Sequence, residues 1–203
     1  AQYKRPELIF HDVERLARIL NAPGRPVQIV FAGKAHPADD PAKHHLQRVF
    51  RRALDPLFGG RVAFIDDYDL HVAHLLVQGC NVWLNNPRKP LEASGTSGMK
   101  SCLGGGLQLS VLDGWWAEAY DGNNGWAIDG DIDGDHAAQD HRHSTALFDL
   151  LEQQVLPMFH ERDAEGVPER WVAMVRRSLM TNGPLFSATR MMREYIDNVY
   201  RRR

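Results

Sequence analysis

Cysteine is nearly missing from this chain. Only Cys80 and Cys102 occur in 203 residues. Each lies in an apolar stretch, so both read as buried reduced thiols of a cytoplasmic protein rather than as a disulfide. A zinc site built on thiolates would need more cysteines or closer spacing. Neither sign of charge is in excess: 24 Lys and Arg stand against 26 Asp and Glu, a net charge of -2. That excludes the strongly basic footprint of a nucleic-acid binder. No apolar run approaches the ~18–20 residues that a membrane-spanning helix needs, and no signal-peptide pattern opens the chain. An initiator methionine is absent as well. Ala1-Gln2-Tyr3-Lys4-Arg5 reads either as a processed end or as the interior of a longer protein. What is present is ordinary globular composition, 43% hydrophobic and 25% charged, without internal repeats.

Short apolar runs alternate with helical periodicity. Pro6 suits a first helical turn, and Val13, Leu16, Ala17 and Leu20 follow helical spacing up to the breaker Asn21-Ala22-Pro23-Gly24. The runs at 26–32, 62–65, 81–84 and 107–111 read as strands buried on both faces, with a shorter one at 126–128. Helices are expected at 41–54, 70–78 (Asp69 as N-cap, Gly79 at the end) and 97–103. This alternation predicts an α/β fold, a Rossmann-like parallel sheet flanked by helices, with the first four strands as central neighbours.

After Ile128 the character changes. The segment 129–144 is acidic and rich in His and Gly, and reads as an exposed loop. Asp133, Asp135, His136, His141 and His143 offer metal-ligand chemistry there, but nothing fixes a ligand geometry, so a solvated loop is the simpler reading. Helices are expected at 145–159, at 168–180 with Asn182-Gly183-Pro184 as the stop, and at 187–200. Met191, Met192, Tyr195 and Val199 form one stripe of the last, read as core packing. The chain divides into residues 1–144, a Rossmann-like cofactor-binding part, and 145–203, helices packed on it.

In open parallel sheets, ligands bind outside the carboxyl ends of the strands. The unusual segment there is Glu92-Ala93-Ser94-Gly95-Thr96-Ser97-Gly98-Met99-Lys100. Gly95 and Gly98 let the backbone approach a ligand, and N–H groups at a helix start attract an anion. Ser94, Thr96 and Ser97 add hydroxyl donors, and Glu92 can accept hydrogen bonds from sugar hydroxyls. Lys100, four residues after Thr96, shares its side of the helix. It suits either a point charge or a covalent attachment to a carbonyl. The spacing of a Walker loop is not met. A phosphate-binding turn and a merely tight strand–helix turn both remain open on chemistry alone.

EASGTSGMK, 92–100, resembles the cofactor-lysine segment of the α-glucan phosphorylases, the glycogen, starch and maltodextrin phosphorylases. YKR at 3–5, FAGKAHPAD at 31–39, Asp67-Tyr68, GGLQLSVLDGWW at 105–116, YDGNNGWAI at 120–128 and ATRMMREY at 188–195 are similar to the same family, in order. The flavour is bacterial, particularly actinobacterial. The resemblance covers the chain but only part of such an enzyme. It implies the C-terminal half of a GT-B fold, with the substrate cleft and some catalytic residues completed by an amino-terminal half.

The implied activity is phosphorolysis of α-1,4-glucan ends by inorganic phosphate to give glucose 1-phosphate, with pyridoxal 5'-phosphate as a proton-relaying phosphate. The isolated half is expected to be inactive. By resemblance, Lys100 carries the cofactor. Gly95, Thr96, Ser97 and Gly98 cradle its phosphate, Lys4 lies near that phosphate, and Tyr68 is close to the cofactor. Glu92, Ala93, Ser94 and Gly95 bind glucosyl hydroxyls. Lys100 and Lys4 are thus the implied catalytic residues. The chain departs from distant members at Ser97-Gly98, at Gly104 and at Asp69, and the Lys-Arg pair expected just before Tyr3 is absent. Homodimerisation is left open, and no nucleic acid, membrane or metal is implied. A nucleotide-sugar glycosyltransferase of the same shape and a non-catalytic glucan-binding module remain as alternatives.

Overall fold

The computed structural model describes residues 2–130 and 134–201. After short 3-10 turns at Gln2–Lys4 and Leu8–Phe10, helix α1 (Val13–Leu20) leads into β1 (Ile29–Ala32), α2 (Asp40–Ala53), β2 (Val62–Ile65) and α3 (Leu70–Gly79). Then come β3 (Val82–Asn85), α4 (Thr96–Leu103), β4 (Leu107–Val111), α5 (Trp115–Ala119) and β5 (Gly125–Ile128). Helix starts are marked by side-chain caps. Asp12, Asp39, Asp69 and Asp135 accept from backbone N–H groups two or three residues on, at 2.8–3.0 Å. Each satisfies donors that the first helical turn leaves without a partner.

All strand pairs are parallel, as the alternation requires. They form two groups rather than one continuous ladder. β1 pairs with β2, and β3, β4 and β5 pair in that order. The expectation of four mutually neighbouring strands therefore holds within each group and fails between β1 and β3. The first strand also starts at Ile29 rather than Pro26. Val30 is 47% exposed, and Ala63 is exposed too, so β1 and β2 are not covered on both faces. Both groups still share one apolar cluster, in which Phe10, Leu16, Leu20, Val62, Leu107, Leu109, Trp126, Leu147 and Phe148 are buried.

The carboxyl-terminal third differs most from expectation. Helix α6 (His136–Leu150) occupies much of the segment read as an exposed loop. The buried positions of its first half, Gln139, His143 and Ser144, are polar, so they show no apolar period to a reader of the sequence. The helical path continues through a π turn at Leu151–Val155 into α7 (Leu156–His160). α8 (Glu169–Leu185) runs past the expected stop and holds Pro184 inside its last turn, where few N–H groups remain to be broken. α9 (Ala188–Tyr195), capped by Ser187, ends in a π turn to Tyr200. Its Met191, Met192, Tyr195 and Val199 stripe is exposed, so it is not core packing. No helix among the described residues is long and apolar enough to cross a membrane.

Candidate active site

The loop after β3 folds back over the end of β4, and Glu92 is its fixed point. The residue is only 7% exposed. Its carboxylate pairs with the Lys4 ammonium, 88 residues earlier, and also accepts from the Tyr3 hydroxyl at 3.4 Å. Its backbone N–H donates to Asp113 Oδ2 at 2.9 Å, while Asp113 Oδ1 accepts from Gly114 N–H at 2.9 Å. Asp113, itself buried, thus ties the β4 end to the Glu92 turn with both oxygens. Trp115 N–H completes the clamp on Ser94 C=O at 2.8 Å.

The glycines here answer to close packing. Gly95 has φ +87°, a conformation disfavoured for side-chain-bearing residues. At Gly114, φ +54°, an added Cβ would lie 2.5 Å from Ser94 O. Gly98 packs its backbone over β4 and α5, where a Cβ would stand 2.7 Å from Gln108 Oε1 and 2.9 Å from Trp115 Nε1. Both neighbours are buried and cannot swing away. Gly98→Ala is expected to cost about 1–3 kcal/mol through overpacking, seen as a lower urea midpoint. An unchanged midpoint would mean that α4 lifts off the sheet freely. Gly104, one of the departures from distant phosphorylases, lets α3 approach α4: a Cβ would meet Val77 O at 2.6 Å.

Beside this turn lies a second, larger clamp that sequence reading missed. Arg5, with φ 45°, is buried. Its guanidinium donates to Asn86 O at 2.9 Å, to Pro87 O at 2.8 Å and to Asp140 Oδ1 at 2.7 Å, and lies 2.7 Å from His143 Nδ1. Arg88 holds both oxygens of Asp140, at 2.8 and 2.9 Å, and donates to Gln139 Oε1 at 2.8 Å. Asn86 returns its amide to Arg5 O at 2.6 Å and Lys4 O at 3.1 Å. Burial raises the Asp140 acid, but the hydrogen bonds from Arg5 and Arg88 outweigh it and hold the carboxyl below its ordinary value. These residues position Lys4 for Glu92. The only sequence signal was the run Tyr3-Lys4-Arg5, because their partners come from distant segments.

The remaining expected residues stand as follows. Thr96, Lys100 and Leu103 form the exposed stripe of α4, opposite buried Gly98, Ser101 and Cys102. The Lys100 side chain makes no hydrogen bond or ion pair to another described residue. Gly95, the residue before α4, makes no side-chain cap. Ala93 is exposed, and Ser94 and Ser97 are half-buried. Tyr68, also half-buried, follows Asp67, whose carboxylate accepts from Lys34 at 3.1 Å. No hydrogen bond or ring contact joins Tyr68 to the Glu92 cluster among the described residues. Trp115 and Trp116 are buried. Trp116 donates to Trp126 O at 3.1 Å and Trp115 meets Phe186 edge-on at 5.2 Å. They begin the helix that directly underlies the Gly95–Gly98 turn, which leaves them no path to solvent. Among the described residues, no group of three His, Cys, Asp or Glu side chains is placed to hold a metal. Asp133 lies outside the described residues.

Comparison with known proteins gives a consistent picture. The carbohydrate phosphorylase family matches residues 1–122. The chain is 52% identical over 199 residues to a glycogen phosphorylase of Aquifex aeolicus, covering 98% of this chain and 28% of that protein. It is 52% identical over 199 residues to a glycogen phosphorylase of Mycobacterium tuberculosis, again across 98% of this chain and 23% of the relative. A maltodextrin phosphorylase of Thermococcus litoralis is 46% identical over 201 residues, 98% of this chain and 24% of the relative. The chain thus spans 23–28% of the length of these relatives.

Proposed function

The chain belongs to the carbohydrate phosphorylase family, and from that premise we propose that it forms the cofactor-bearing catalytic part of an α-glucan phosphorylase. The enzyme would cleave α-1,4-glucan ends with inorganic phosphate, releasing glucose 1-phosphate, in the cytoplasm. The observation that carries this reading is the convergence of Lys4, Glu92 and Asp113 on one glycine turn just ahead of the helix that presents Lys100.

The residues fit pyridoxal 5'-phosphate. Helix α4 starts without a capping side chain, so the Thr96 and Ser97 N–H groups are open to an anion, and one turn on lies an exposed amine with no competing carboxylate among the described residues. When bound, the cofactor supplies a phosphate that holds and returns a proton beside the substrate phosphate. Lys100 Nζ would hold it covalently, and the backbone of Gly95, Thr96, Ser97 and Gly98 would bind its phosphate. Lys4 Nζ would offset the repulsion of two phosphates at close range, a term that grows where water is excluded. Glu92 Oε1 and Oε2, with Ser94 and the Ala93 and Gly95 backbone, would accept from and donate to glucosyl hydroxyls. Tyr68 would wall the cofactor. Residues 1–144 would form the cofactor-binding part. Residues 145–203 would pack on it as helices, a packing supported by Leu147, Phe148, Val155 and Trp171 sharing the core of β4 and β5. The exposed Met191 and Tyr195 face would receive further polypeptide of the same enzyme.

The full-length polypeptide, loaded with cofactor, should release glucose 1-phosphate from maltodextrin and inorganic phosphate. Transfer from a nucleotide sugar without phosphorolysis would instead assign a glycosyltransferase. Glu92→Gln should keep cofactor absorbance while raising the KM for glucan at least about tenfold, the loss expected when a charged hydrogen-bond acceptor is removed. An unchanged KM would remove Glu92 from the sugar site.

A further inference from the structure

The face of α4 opposite Lys100 ends on a chain of buried polar side chains. Cys102 belongs to a small apolar cluster with Trp115, Trp116 and Ala119. Its sulfur lies 3.3 Å from Ser178 Oγ and accepts from Asn182 Nδ2 at 3.5 Å. The same amide nitrogen donates to Ser178 Oγ at 3.2 Å. At its other end, Asn182 Oδ1 accepts from Asn124 Nδ2 at 3.3 Å. Asn124 is held by backbone: its Nδ2 donates to Ala119 O at 2.7 Å, and its Oδ1 accepts from Asp121 N–H at 3.1 Å. Cys102, Asn124, Ser178 and Asn182 are all no more than 3% exposed.

This chain has a direction. A backbone carbonyl on one side and a backbone N–H on the other leave Asn124 a single amide orientation. That turns its N–H toward Asn182, so Asn182 must present oxygen there and nitrogen toward Ser178 and Cys102. A flipped Asn182 would set donor against donor in apolar surroundings, where an unmade hydrogen bond is costly. The end of α5 therefore fixes a side chain of α8, and α8 fixes Cys102, two residues after Lys100. Helix α4 depends on such support. It has 8 residues, fewer than the about 12–15 that an isolated helix needs. Close packing of Gly98 on Gln108 and Trp115 blocks a nearer approach to the sheet but does not stop α4 from sliding or lifting.

We infer that Ser178 and Asn182 are positioning residues for Lys100. Helix α8 braces α4 from behind through Cys102, and the brace sets where the Lys100 amine stands over the Gly95–Gly98 turn. The inference rests on the reading of Lys100 as the point of cofactor attachment. It makes α8, far along the chain, part of the working site, although none of its residues touches cofactor or substrate.

Amide hydrogen exchange on the cofactor-free, full-length polypeptide tests the brace without any turnover. Asn182→Leu keeps the bulk and removes the side-chain hydrogen bonds. Exchange at the Lys100, Ser101 and Cys102 N–H groups should accelerate at least about tenfold, while Leu109 and Val111 of β4 keep their parent rates. Loaded with cofactor, the variant should show weaker circular dichroism in the cofactor band. Its kcat should fall about ten- to a hundredfold, the cost of a small misplacement of a reacting group. The KM for glucan should stay near the parent value, because Asp113 anchors Glu92 independently. Cys102→Ser retains a donor and an acceptor and should behave like the parent, whereas Cys102→Ala should behave like Asn182→Leu. This milder pair decides the matter if Asn182→Leu does not fold. A lower melting temperature with α4 exchange, dichroism and kcat all at parent values would overturn the proposal. Accelerated α4 exchange in a polypeptide whose parent takes up no cofactor at Lys100 would uphold the brace and overturn the cofactor reading instead.

Discussion

Lys100→Ala in the full-length enzyme should eliminate cofactor absorbance and reduce phosphorolysis of maltodextrin by at least about a thousandfold. Loss of a single preorganised electrostatic partner costs 10²–10³ in rate, and this substitution removes the attachment of the whole relay. The fold should not suffer. Lys100 lies on the exposed stripe of α4, and its side chain bonds to no described residue. Its replacement should change stability by no more than about 0.5 kcal/mol, the ordinary range for surface sites. Circular dichroism and a urea midpoint on the same preparation separate the two effects. Borohydride reduction of the cofactor-loaded parent enzyme should label Lys100. A label on another lysine, or retained absorbance in the variant, would show that the cofactor sits elsewhere.

Asp140→Ala should destabilise the fold by about 1–3 kcal/mol, the usual cost of taking a charged hydrogen-bond acceptor away from buried donors. Arg5 is buried, and it loses one acceptor of its guanidinium, which two backbone carbonyls also hold. Arg88 loses a two-pronged contact at the same time. The pH dependence follows from the direction of the Asp140 shift, in which burial is outweighed by the two arginines. A carboxyl lowered in the folded state stabilises the protein above its unfolded value, about 3.9. That stabilisation is lost as pH falls through the lower folded value. The parent protein should therefore lose stability below about pH 4 more steeply than Asp140→Asn, whose profile lacks this contribution. Parallel profiles would show that the carboxylate is not the working group. Because Arg5 follows Lys4, loosening the clamp should also move Lys4 off Glu92, and the full-length variant should lose rate at temperatures where it stays folded.

How legible each part was depended on where its partners lay. β4 and β5 are local apolar runs between turns, and they appear within a residue or two of their expected limits. The Asp69 cap and the helix after it were readable for the same reason, since the cap and the N–H it accepts from are three residues apart. The 92–100 turn announced itself because small residues crowd where a ligand can approach. The first half of α6 was hidden because its buried face is polar. Gln139, His143 and Ser144 look solvated until Arg88 and Arg5 arrive from 51 and 138 residues away. The burial of Trp115 and Trp116 was hidden because a tryptophan pair carries no mark of the side it faces.

The sequence alone thus determined the alternating parallel architecture, the family resemblance and the turn that holds Glu92 and Lys100, because each rests on neighbours within one helical turn or one strand. Only the tertiary structure decided that Lys4 meets Glu92, that Asp113 anchors it, that Arg5 and Asp140 lock the segment behind it, and that the strands form two groups. Those facts depend on contacts between residues tens of positions apart, and in one chain no local periodicity encodes which distant polar group will satisfy which buried charge.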